Sequence, residues 1–155
     1  MTLSPIPPLD QAETEALAAL AETIIPPSEK YGLPGAGDPD ILAAIVSDGR
    51  RRLAALKDAL ESLDAMADAS HGRRFADLDS AARFTVGESY RTAHPGHAEM
   101  VQNLAAQCYY RDMRVMVSLG MDPRPPHPRG FEVKDGDWSL LDPVRRRDSL
   151  VRPTG

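Results

Sequence analysis

Apolar residues recur along this chain at the three-four spacing of a helix face, and proline or glycine marks the breaks between the runs. Asp10 followed by Glu13 has the form of a capping box. The helix it starts places Leu17, Leu20 and Ile24 on one face. It ends at Pro26-Pro27, because proline lacks an amide N–H and disfavours helix in the residue before it. Gly32, Gly35 and Gly37 are then expected to supply turn conformations. Asp38 suits an N-cap and Pro39 a first helical residue. From there Leu42, Ile45, Gly49, Leu53, Leu56, Leu60 and Leu63 advance in steps of three and four, with Asp48, Arg51, Lys57, Asp58 and Glu61 largely off the stripe. This pattern predicts one long amphipathic helix ending near Met66, with Leu53, Leu56 and Leu60 in the core.

Asp77 or Asp79 can cap a third helix through about Tyr90, with Phe84 and Tyr90 as its larger apolar groups. The segment "AHPGH" is expected to break the chain. A fourth helix follows with Val101, Leu104 and Cys108 on one side, and a short fifth runs from near Asp112 to Gly120, a suitable C′ residue. After Gly120 prolines cluster and apolar residues become isolated. The expected architecture is all-α: a small bundle of four or five helices in residues 1–120, then an extended proline-rich strap in residues 121–155. Beyond the prolines lie Phe131, Val133, Trp138, Leu140 and Leu141. An extended strap cannot bury such groups against itself, so they are expected to pack on the bundle or on another protein.

Composition supports the helical reading. Hydrophobic residues make up 42% of the chain but aromatics only 5%, so alanine and leucine fill the apolar positions, and these favour helix over sheet. The net charge of −5 argues against a general nucleic-acid binder. The charge is concentrated: residues 1–120 carry 11 Lys/Arg against 17 Asp/Glu, a net of −6, whereas residues 121–155 carry 7 against 6. No apolar run reaches membrane-spanning length, and the single cysteine, Cys108, has no internal partner.

Candidate chemistry is sparse. His94 and His97, with Glu99 nearby, could hold a metal if a helix carried both, but Pro95-Gly96 between them favours a turn and helix cap. Cys108 reads as a small apolar residue on a helix face rather than a nucleophile. Arg50-Arg51-Arg52 and Arg145-Arg146-Arg147 could meet phosphate or acidic surfaces, and otherwise read as solvated faces or salt-bridge donors. "GLPGAG" lacks the strand-loop-helix setting of a phosphate loop and reads as a turn. No catalytic residue, cofactor site or metal site is expected; function should lie in shape.

Three stretches in order carry a resemblance. "LAALAETIIPP" with "GAGDPDI" resembles the N-terminal signature of the gluconate 2-dehydrogenase subunit 3 family, "CYYRDMRVMVSLG" resembles its later block, and "PPHPRG" its exit, together spanning about residues 12 to 130. The resemblance implies a small helical accessory subunit that binds no flavin itself. Its implied partner is a large FAD-dependent dehydrogenase subunit of the glucose-methanol-choline type acting on gluconate, glucose or glycosides, joined in some complexes by a cytochrome c subunit. It further implies a role in folding, stability or export of that partner. Members often carry a twin-arginine signal; none precedes the first helix here, so the expected location is the cytoplasm, or the periplasm when a signal-bearing partner carries the chain. Within this reading the partner-binding residues are Tyr109, Tyr110, Phe131, Trp138, Leu140 and Leu141, with Trp138 as an interface anchor. The rival readings are an independent all-α binding, scaffold or chaperone module without a dedicated flavoprotein and, more remotely, a metal-dependent hydrolase built on His94 and His97.

Overall fold

The capping box at the start of the first helix forms as its sequence dictates. Asp10 Oδ1 accepts from the Glu13 amide at 2.8 Å, and the Asp10 amide donates to Glu13 Oε2 at 2.7 Å. The structure, a computed structural model, describes residues 7–124, 127, 130 and 135–147, and Phe131 and Val133 lie outside them. Helix α1 covers Gln11–Ile24, α2 Pro39–Gly49, α3 Leu53–His71, α4 Ser80–Ala93, α5 Pro95–Tyr109 and α6 Met113–Ser118. No β-strand occurs among the described residues; Ser28 and Leu33 form an isolated bridge. The chain divides into two compact units, Met1–Pro123 and Arg124–Gly155.

The first unit is the bundle. Helix α1 packs against α2, α3, α4 and α5, and α5 reaches the same three other helices. The core gathers Leu17, Ile41, Ile45, Leu56, Leu60, Leu63, Phe75, Tyr90, Val101 and Val115, all essentially without exposure. Tyr90 satisfies its hydroxyl inside this core by donating to the Ala59 carbonyl at 2.9 Å, and burial pushes its pKa up to about 12. Lys57 Nζ reaches both Glu13 carboxylate oxygens, at 2.7 and 2.8 Å, and so ties α3 to the start of α1.

The single long helix expected from Leu42 to Met66 is two helices. A 3-10 turn at Arg50–Arg52 separates α2 from α3, and Arg52 leaves the helical basin at φ −126°, ψ 29°. The leucine stripe conceals this break. Three residues wound at about 120° each instead of about 100° turn the face by only about 60°, less than the width of an apolar stripe. Leu53, expected in the core, is half-buried at the start of α3 beside the turn, whereas Leu56 and Leu60 are buried. Helix α3 also runs past Met66 to His71, where Gly72 ends it in the left-handed region at φ 64°.

The glycines after the Pro-Pro stop differ in role. Only Gly32 adopts positive φ. Gly35 and Gly37 are required by close approach: a Cβ on Gly35 would lie 2.9 Å from Pro27 Cδ and 3.2 Å from the Ile25 carbonyl, and one on Gly37 would lie 2.9 Å from the Ala18 carbonyl. The Ala36 amide donates to the Ile25 carbonyl at 2.9 Å, which seals the loop onto the end of α1. Gly35→Ala should therefore cost about 1–3 kcal/mol through overpacking against backbone, read as a lowered Tm. An unchanged Tm would show that the loop can lift away.

The "AHPGH" break is shorter than expected. His94 alone separates α4 from α5, Pro95 is the first residue of α5, and Gly96 and His97 belong to its first turn. Phe75, which the helix periodicity passes over, is buried on a 3-10 turn, and its amide donates to Asp64 Oδ1 at 2.8 Å.

In the second unit, Trp138–Leu141 form a 3-10 turn and Asp142–Arg145 a helical turn, α7. The Asp137 carboxylate caps this segment by accepting from the Ser139 amide at 3.0 Å.

Candidate functional site

Helix α6 has only six residues, and its burial is inverted. Val115 is its one buried side chain. Tyr110, Met113 and Val117 are 58%, 66% and 59% exposed, and Leu119 and Met121 flank them in the open. Met113 and Val117, four residues apart, share the outward side of α6, and Tyr110 and Met121 lie just beyond its two ends. The turn after α6 is fixed by a glycine: Gly120 sits at φ 72°, and the Met121 amide donates to the Met116 carbonyl at 2.9 Å.

A charged clamp holds this face in place. Arg114 donates to both oxygens of Asp38, at 2.7 and 3.2 Å, and to both oxygens of Asp112, at 2.9 and 3.0 Å. Asp38 is the N-cap of α2 and Asp112 the N-cap of α6, so one guanidinium joins two helix starts. The stretches "GAGDPDI" and "RDMRV", far apart in the chain, thereby meet in space.

Hydrogen bonds from Arg114 hold the Asp38 and Asp112 carboxyls below their usual value of 3.8, against an opposing effect of partial burial. A depressed folded pKa contributes stability that is fully present above the unfolded value and is lost as pH falls through the folded one. Acidification below about pH 4 should thus weaken the clamp. Arg114→Met should remove that part of the acid-induced fall in Tm, and superimposable Tm-against-pH curves for the two proteins would contradict the assignment.

The paired tyrosines divide between core and surface. Tyr109 is only 5% exposed and meets Tyr110 edge-on, with ring centroids 5.3 Å apart. Buried Tyr109 offers little surface to a partner, contrary to the expectation that both rings are available for contact, whereas Tyr110 is exposed. Trp138 and Leu140 are exposed and Leu141 less so; Phe131 lies outside the described residues. Periodicity alone could have flagged Met113 and Val117, but it does not say which way a stripe faces.

The remaining candidates gather little chemistry. Burial and the neighbouring Asp48 carboxylate push the Cys108 thiol up, which works against a thiolate nucleophile. His94 and His97 stack with centroids 6.0 Å apart, and no cluster of three metal-ligating side chains occurs among the described residues. No helix among the described residues is long and apolar enough to cross a membrane.

The first unit is a small all-helical bundle with an outward apolar face on α6. Residues 11–123 match the family described as gluconate 2-dehydrogenase subunit 3, and the chain belongs to that family. The matched span contains the Gly35–Asp38 loop, the Arg114 clamp and the α6 face. No curated protein and no solved structure matches the chain.

Proposed function

We propose that this chain is a non-catalytic small subunit that docks on a large FAD-dependent dehydrogenase of the glucose-methanol-choline type, with the α6 face as part of the contact. The observation that supports this most is the outward pair Met113 and Val117 on a helix anchored from below by Val115 and from the side by Arg114, with exposed Tyr110 at the end of α5 just before it. Large apolar side chains held rigidly in water are costly unless a partner covers them. Trp138 and Leu140 add a second exposed apolar group in the strap, suited to the same partner.

In this reading the sugar or glycoside is oxidised on the partner's flavin, and the small subunit supports the partner's folding, stability or export. A cytochrome c subunit, where present, contacts the complex rather than supplying chemistry to this chain. The location follows the partner, cytoplasmic or, with a signal-bearing partner, periplasmic. The chain alone should purify without flavin. Co-expression with a glucose-methanol-choline type dehydrogenase from the same organism should raise the yield of soluble, flavin-loaded dehydrogenase. An unchanged yield, or a flavin-loaded preparation of this chain by itself, would overturn the proposal.

A further inference from the structure

The break between α2 and α3 opens a cleft of about 630 Å3 whose polar lining includes Asp48, Arg51, Arg52, Asn103, Gln107 and Arg111. Its charges are unbalanced. Elsewhere in the bundle Arg74 has Glu15 and Asp77, Arg91 has Glu88, and Arg114 has Asp38 and Asp112, while Arg83 donates to the Ala76 carbonyl and Arg73 stands as a single arginine with no carboxylate among the described residues. In the cleft Asp48 is taken by Arg111, at 2.8 Å. The guanidinium groups of Arg50, Arg51 and Arg52 make no ion pair or hydrogen bond among the described residues.

Three adjacent unneutralised guanidiniums are unusual in residues 1–120, where acids outnumber bases by 17 to 11 and carboxylates are available. They repel one another, and the 3-10 turn that carries them places Arg51 and Arg52 in the lining of the cleft. We propose that this cleft receives an acidic segment of a partner polypeptide, with Arg51 and Arg52 pairing with its Asp or Glu carboxylates. Arginine presents a planar fork that matches a carboxylate bidentately. The neutral amides of Asn103 and Gln107 on the opposite wall, each both donor and acceptor, suit the main chain of an extended segment better than they suit a compact phosphate. The acidic bundle disfavours nucleic acid as the occupant.

The test does not require the dehydrogenase, so its failure is separable from failure of the accessory-subunit reading. An end-blocked hexaglutamate peptide is titrated into the full chain, the Arg51→Gln/Arg52→Gln double variant and an Arg73→Gln control. Amide and arginine Nε NMR shifts are followed, and circular dichroism checks that helicity is kept. Shifts should centre on Asn103, Gln107 and the two arginines, weaken as salt is added, fall at least about tenfold in affinity in the double variant, and persist in the control. Arg51→Lys/Arg52→Lys should lie between, keeping charge but losing the fork. Equal binding by all variants, or no shift at millimolar peptide, would overturn the proposal. Tighter binding of pyrophosphate than of peptide at the same residues would assign the cleft to a small anion instead. A self-association abolished by the double substitution would assign it to a second copy, and either result also overturns it.

Discussion

Leu56→Ala should lower the stability of the bundle by about 2–5 kcal/mol. Leu56 is 1% exposed and lies where α2, α3 and α5 converge: a Cβ on Gly49 would come within 3.0 Å of Leu56 Cδ2 and 3.3 Å of Leu104 Cδ2. Truncation removes the side chain against which the end of α2 rests, and a close-packed interior does not collapse fully into the gap. Against the roughly 5–15 kcal/mol available to a small domain this is a large loss, visible as a shifted denaturant midpoint with an unchanged slope. Leu53→Ala, at the half-buried start of α3, should cost distinctly less. Equal losses at the two positions would mean that Leu53 is packed as fully as Leu56, contrary to its place beside the Arg50–Arg52 turn.

Met113→Asp/Val117→Asp should do the reverse, leaving the bundle's Tm nearly intact and weakening docking on the dehydrogenase at least about thirtyfold. Both side chains are exposed in the isolated chain, so a carboxylate costs little there, whereas an unpaired charge buried at an interface costs several kcal/mol. Val115→Asp is the contrasting control. It places the charge on the one buried side of α6 and should unfold that corner of the bundle. Undiminished docking by the double variant would move the contact away from α6.

Much of this fold is legible in the sequence because local chemistry and tertiary packing agree. Asp10 and Glu13 announce α1, Asp38 and Pro39 start α2, and Asp112 starts α6. Two features are hidden for physical reasons. The Arg50–Arg52 turn costs the apolar stripe so little phase that the leucines pass through it undisturbed. Gly35 and Gly37 look like turn residues because composition cannot separate a glycine needed for positive φ from one needed for clearance. The outward α6 face was hidden differently. Tyr109 and Tyr110 are adjacent and identical, yet one is buried and the other exposed, and only the packing of α5 and α6 separates them. The Arg114 clamp joins positions 76 residues apart, beyond the reach of any spacing rule.

If this chain docks as a subunit, the mass of an assembled complex is the plainest sign of it. The purified chain is mixed with a glucose-methanol-choline type dehydrogenase from the same organism, and size-exclusion chromatography with light scattering reads the result. A stable species carrying both chains is expected, with the flavin spectrum travelling with the large one, and that species should be lost in the Met113→Asp/Val117→Asp variant. Two separate peaks at micromolar concentration, with the dehydrogenase as soluble and as active alone as in the mixture, would contradict it.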